Sequence, residues 1–357
     1  MKLIDYYIMK AIWSAVGLMT LLLSVLQIFI LFVNQLNNIG HGDFNLWEAT
    51  IFVILQTPYQ VYLFFPIISL LGALVGLGFL ATNNELVVMR ISGMSILQIT
   101  GVVLQATLVL LIIATIIGEL CIPRLMVYSK NRQIQALSGG QALRTINGVW
   151  LRYQNDFINI GSIQADNVLR DVLRFHFDNS YNLQFTQQVD HINYMNGVWY
   201  AYDSKTTFLH NNKIILVNDK QLVWPVVIKP VLLQLSSSEP DDMNLHELHQ
   251  YIREKQHNHQ LVINYQLVFW HRIFQPLATL TMVFIAAPFI FGPLRSATMG
   301  LRFMAGAGLG FGFHIFNHLF GSFSQVYQLS PIIAALIPTV IFAVIGMYLI
   351  QNSKIVV

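Results

Sequence analysis

Six stretches of this chain are apolar over lengths that match a lipid bilayer: Ile12–Val33, Leu63–Leu80, Ile96–Leu120, Val268–Phe291, Leu301–Phe320 and Ile332–Ile350. A helix needs about 20 such residues to cross, and in lipid a lone segment satisfies its backbone only as a helix. The runs come as three and three, around a polar middle. Charged residues are 10% of the chain and mean hydropathy is +0.57, where soluble domains carry about a quarter charged residues. The fold class expected is a polytopic α-helical membrane protein with six spans, the second of which extends backwards if Asn34–Tyr62 is not wholly loop. Expected domains are residues 1–135, an inserted 136–240, and 241–357 with a juxtamembrane helix. A net charge of +3 gives no pull toward nucleic acid. The single cysteine, Cys121, excludes an internal disulfide and reads as a small buried apolar residue. The first run lacks a small-residue cleavage site, so it is expected to stay as a span.

Orientation follows from Lys and Arg in short loops. Lys2, Lys10, Arg90, Arg295, Arg302 and Lys354 fall on one side, whereas Asn34–Tyr62 and Gly321–Pro331 hold neither residue. Both termini are therefore expected in the cytoplasm and the middle region outside, with Cys121 at the outer end of the third span.

From Gly148 to Leu235 the period shortens to two. Val149–Tyr153, Phe157–Ser162, Leu173–Phe177, Val189–Met195, Trp199–Asp203, Thr206–His210 and Ile214–Leu222 read as strands, with Asn196-Gly197 and Asn211-Asn212 as hairpin turns. The expectation is an all-β sandwich or jellyroll-like domain. Ser236–Asp242 reads as a loop, and Leu245–Lys255, behind Asn244, as an amphipathic helix.

Between the second and third runs lies Thr82–Gly93. Thr82, Asn83 and Asn84 are N-cap residue types, Glu85 suits the start of a helix, and Gly93 suits its end. Leu86, Val87, Val88, Met89 and Ile91 supply the apolar content, with Arg90 near the end. A helix this short is no domain; it reads as a handle on the cytoplasmic side. A second signal there is Phe289–Ser296, where Gly292 and Pro293 end a span and Arg295 sits at the interface.

No Gly-Lys dipeptide and no Gly-x-Ser-x-Gly occurs, so the chain supplies neither a Walker A loop nor a nucleophile elbow. His246, His249, His257 and His259 match no zinc spacing. His314 and His318, with Asn317 beside them, lie four apart in the fifth run and suit interhelical hydrogen bonds. Gly306/Gly310 and Gly308/Gly312 are two small-residue pairs on different flanks of that helix, and Gly72/Gly76 repeat the device in the second.

Three blocks, FFPIISLLGALVGLGFLATNNELVVMRISG, RIFQP at Arg272–Pro276 and FIFGPLRSATMG at Phe289–Gly300, closely resemble the lipopolysaccharide-export permeases of the YjgP/YjgQ family, and within it the G-type subunit. The resemblance implies three spans, a periplasmic β-jellyroll and three more spans. It implies pairing with an F-type permease and docking of a dimeric ATPase, which binds the ATP and Mg, onto the short helix through Glu85. A single-span bitopic subunit and a periplasmic bridge complete the implied assembly, which lifts lipopolysaccharide from the outer leaflet. Residues 82–93 correspond to the family's coupling helix. The chain departs from the family where basic residues normally face lipid phosphates: Leu31, Asn34, Asn37 and Asn38 stand at the outer end of the first span. Lys130 fills the first of two basic places after the third span, and Gln133 stands at the second with Arg132 beside it. Arg124, Lys130, Arg132 and Arg144 are the alternative cations for the lipid. Rivals are an ABC permease that transmits force without carrying lipid, a membrane-embedded lipid enzyme, and an ion-driven transporter.

Overall fold

The computed structural model describes residues 3–137, 144–153, 155–164, 168–178, 182–195, 198–210, 213–224, 239–257, 260, 262–291 and 298–353. It divides into two compact units: Met1–Asn34, Val53–Met126 and Ile263–Val357 in one, Gln35–Phe52 and Val127–Val262 in the other.

The helices are α1 (Leu3–Gln35), α2 (Leu46–Leu63), α3 (Phe65–Thr82), α4 (Glu85–Ile91), α5 (Ile96–Leu120), α6 (Ile122–Leu137), α7 (Leu245–His257), α8 (Ile263–Phe291), α9 (Met299–Tyr327) and α10 (Pro331–Ser353). Among the described residues, five helices (α1, α3, α5, α8 and α10) are long and apolar enough to cross a membrane. The expected fifth span falls in α9, which has the length at 29 residues but is not among the five. It carries Arg302, six glycines, His314, Asn317 and His318.

Asn34–Tyr62, expected as a loop, is helical from Leu46. Asn45 Oδ1 accepts from the backbone N–H of Trp47 and Glu48, both at 3.0 Å, which starts α2 as a side-chain cap does. α2 and α3 are two helices rather than one extended span. The reason is Pro66, whose ring and missing N–H break the ladder at the carbonyl four residues back. That carbonyl, on Tyr62, instead accepts from Gln275 Nε2 at 2.5 Å. Gln275 belongs to the RIFQP block, so one side chain satisfies the group the proline frees, as an apolar environment demands.

α3 is the packed centre of its unit, with residues such as Ile68, Leu70, Leu74, Leu77 and Leu80 wholly buried. Its glycines set the closeness. A Cβ on Gly72 would lie 2.5 Å from Val16 Cγ2, and one on Gly76 2.9 Å from Ile12 Cδ1. From the other side Gly306 of α9 meets Leu74 and Gly310 meets Ile67. Gly308 and Gly312 face open space. Among the described residues, one small-residue pair is thus used within the chain and the other is not.

In the second unit, β1 (Arg144–Tyr153), β2 (Asp156–Gln164), β3 (Val168–Phe177), β4 (Leu183–Met195), β5 (Val198–His210) and β6 (Lys213–Val223) form one antiparallel sheet in sequence order. Trp199–Asp203 and Thr206–His210, expected as separate strands, are one. The alternation fails between them because Asp203 has φ +51. The registers bring Gly161, Asp171, Asp190, Asp203 and Lys220 into a single cross-strand row, and Asp171 also has a positive φ, +52. Across this row the buried positions are Leu169 and Val172, Val189 and Ile192, Ala201 and Ser204. A spacing of three replaces two, so the inward parity switches once in β3, β4 and β5. The turns at 196–197 and 211–212 lie outside the described residues. The expected loop at Ser236–Asp242 holds a 3-10 turn, Pro240–Asp242. Cys121, expected buried, is exposed because it sits at the break between α5 and α6.

Gly72→Ala is expected to destabilise the protein by about 1–3 kcal/mol through overpacking. Gly101→Ala, with no neighbour near its Cβ position, is expected to stabilise it by about 0.5–1 kcal/mol. Thermal unfolding in detergent measures both, and equal shifts would contradict the close packing of α3.

Candidate coupling helix and ionic cluster

α4 is seven residues long and held at both ends. Asn84 occupies the N-cap position with φ +60 and makes no side-chain cap bond, which corrects the expected capping. Its backbone carbonyl accepts from Val87 and Val88 instead, at 3.1 and 3.2 Å, a conformation asparagine tolerates better than most residues. At the other end Gly93 N–H donates to Arg90 O and Met94 N–H to Met89 O, at 3.0 and 3.1 Å. With Gly93 at φ +94 this is a Schellman closure. Ser95 and Gln98 then form a capping box that starts α5.

Two side chains anchor the helix: Leu86 and Met89 are buried in the helical core. The opposite face is apolar and bare, with Val87, Val88 and Ile91 at 45%, 62% and 82% exposure. Arg90 is half-buried. The Glu85 carboxylate lies within hydrogen-bonding reach of the Tyr7 hydroxyl, while its Oε2 is buried and has no donor among the described residues. Three exposed apolar side chains on so short a helix, beside a carboxylate oxygen without a donor, suit a protein partner. Arg295 lies outside the described residues.

A second cluster sits in the other unit, on α6. Lys130 Nζ is 2.7 Å from Glu239 Oε2 and 2.8 Å from Asp242 Oδ2. Arg132 binds Glu48 through two bonds, Nε to Oε2 at 2.6 Å and Nη2 to Oε1 at 2.9 Å, the fork geometry guanidinium favours. Burial alone would lower the Lys130 ammonium; the bonds to Asp242 and Glu239 outweigh it and hold the group above the ordinary lysine range. The Arg132 hydrogen bonds hold the Glu48 carboxyl below its ordinary value. Of the four cations expected to meet lipid, two are therefore paired within the chain. Arg124 is exposed, and the side chain of Arg144 lies outside the described residues.

Comparison with known proteins agrees in both length and kind. The family described as lipopolysaccharide export system permease LptF/LptG matches residues 6–352. The lipopolysaccharide export system permease protein LptG of Haemophilus influenzae is 33% identical over 353 residues, covering 98% of this chain and 99% of that protein. The protein of that name from Escherichia coli strain K12 is also 33% identical, over 98% of each chain. The chain belongs to the LptF/LptG permease family.

The LptF/LptG assignment makes this an integral membrane permease chain with an inserted β domain. In α9 the His314 ring lies against Phe64, centroids 5.0 Å apart, and His318 is exposed. His271 of α8 approaches the same helix, its Cε1 3.8 Å from the Cβ position of Gly321. Among the described residues no three His, Cys, Asp or Glu side chains could hold a metal ion. Asn317 is half-buried on the same helix, one turn short of Gly321, whose Cβ position abuts Leu267.

Sequence reasoning missed Tyr7, Glu48, Glu239, Asp242 and His271. His271 had a signal, because it directly precedes the RIFQP block. The acidic partners had none, because they lie 84 and more residues from their cations.

The pH dependence of the Arg132–Glu48 pair has a defined sign. Glu48 titrates below its ordinary 4.5 in the folded chain, so its contribution is full above that value and is lost as pH falls through the lowered one. Amide exchange in α6, corrected for intrinsic chemistry, is expected to rise in that acid window. Glu48→Gln should remove the dependence; an unchanged profile in that variant would contradict the pairing.

Proposed function

We propose that this chain is the G-type permease half of an ABC transporter in the cell inner membrane, which extracts lipopolysaccharide from the outer leaflet. It carries no catalytic residues and binds no cofactor; a separate dimeric ATPase binds ATP and Mg. The chain pairs with an F-type permease, and a single-span bitopic subunit and a periplasmic bridge take part in onward transfer. Six spans in a 3+3 arrangement place both termini in the cytoplasm and the β domain, a jellyroll, in the periplasm. The full-length match to LptF/LptG permeases supports the lipid and the assembly.

The observation that carries the coupling role is α4. Its bare face, Val87, Val88 and Ile91, gives an ATPase groove something to grip, while Leu86 and Met89 root it in the core. Glu85 offers its unbonded oxygen to a donor on the ATPase; Arg90, Gly93 and Arg295 complete the contact surface. Gly308 and Gly312, open on α9, suit close approach of the partner permease. His314, Asn317 and His318 lie on the same helix. Arg124 and Arg144 remain as cations for lipid phosphates.

Ile91→Asp with Val88→Asp is expected to abolish copurification of the ATPase with the permease pair, and Glu85→Ala to weaken it, with thermal stability unchanged. A charge contact at such an interface is worth about 2–5 kcal/mol when truncated. Full ATPase recovery with the double Asp variant would refute the docking role. Single cysteines in β3 or β5 of a Cys121→Ala protein should react with an impermeant thiol reagent in intact spheroplasts. Labelling only after lysis would reverse the proposed orientation.

A further inference from the structure

α6 is the chain that leads into the β domain, and Glu239–Asp242 is the chain that leads out of it. Lys130 joins them through two bonds, at 2.7 and 2.8 Å. Glu239 N–H donates to Asp242 Oδ2 at 3.2 Å, so the two carboxylates form one bracket around the ammonium. On its other flank α6 is tied to the segment between α1 and α2. Arg132 forks onto Glu48, Gln133 Nε2 donates to Gln35 Oε1 at 2.7 Å, and Asp43 N–H donates to Ala136 O at 2.8 Å. Two separate stretches of chain therefore meet on one helix.

The charges decide between a structural and a ligand-binding role. Three carboxylates stand against two cations, so the cluster has no positive excess to draw a phosphate. Asp242 is 4% exposed, and its Oδ1 is buried without a partner among the described residues. A phosphate that took Lys130 would leave this carboxylate buried and uncompensated, the costliest state of such a pair.

We infer that Lys130 and Arg132 are positioning residues that pin α6 to the chain leaving the β domain and to the start of α2. The two connections of the inserted domain then move as one piece with the Gln35–Glu48 segment. This rests on the reading that the chain carries lipid only for its consequence in transport; the pin itself is a property of the chain.

The experiment uses the assembled permease–ATPase complex in a Cys121→Ala background. Spin labels at Trp47 and Gln135, both exposed, report the distance across the Arg132–Glu48 pair, and photocrosslinking from Val127, exposed on α6, reports lipopolysaccharide. Glu48→Gln, Arg132→Gln and Asp242→Asn should each broaden the distance distribution. Crosslinking should fall several-fold in all three, and the swap Arg132→Glu with Glu48→Arg should restore both readouts. If the cations instead grip lipid, Glu48→Gln and Asp242→Asn free them and crosslinking rises, while the swap stays defective. That pattern, or an unchanged distance distribution in all three single variants, overturns the pin. Absence of lipopolysaccharide crosslinks in the unsubstituted complex counts against lipid carriage alone, because the distance measurement still decides the pin.

Discussion

Close packing of α3 is the constraint on which the helical unit depends. Lipid is as apolar as leucine, so burying leucine gives helices in a membrane little reason to associate. What remains is shape, and glycine supplies it. Gly72 and Gly76 let α1 approach one side of α3, and Gly306 and Gly310 let α9 approach the other. The break at Pro66 would orphan a carbonyl inside this packing, and Gln275 removes that cost. Stretches far apart in sequence, the end of α2 and RIFQP, are thereby linked by a hydrogen bond.

α4 depends on the same core. Seven residues are too few to hold a helix in water, so α4 exists because Leu86 and Met89 are buried and because Gly93 closes its end. The rest of the helix is free to face outward. A rigid, apolar, short projection is a sensible device for receiving force from another protein. It keeps its shape only while its root is held.

Much of this was legible in the sequence, for physical reasons. Membrane runs are long and need only composition to be seen, and Gly93 marks a helix end because of its conformational freedom. The N-terminal cap of α4 was misread because Asn84 uses its backbone in a left-handed conformation rather than its side chain. α2 was missed because Gln56, Thr57, Pro58 and Gln60 interrupt its apolar residues, so the stretch up to Tyr62 reads as loop. In the sheet, Asp171 and Asp203 reverse the inward parity, so a period-two pattern splits β5 in two. The ionic cluster was legible only on its cationic side. Lys130 and Arg132 stood out as candidates for a lipid phosphate; their acidic partners come from α2 and the approach to α7, and no local pattern announces such a pairing.

The proposed function requires ATP hydrolysis outside this chain to be coupled through α4 to movement of lipid. The most direct measurement reconstitutes the permease pair and its ATPase in vesicles holding labelled lipopolysaccharide, and follows transfer to a soluble acceptor on the β-domain side. The account predicts transfer that begins on adding ATP and stops with a non-hydrolysable analogue. Steady ATP hydrolysis with no lipopolysaccharide leaving the vesicles would contradict it.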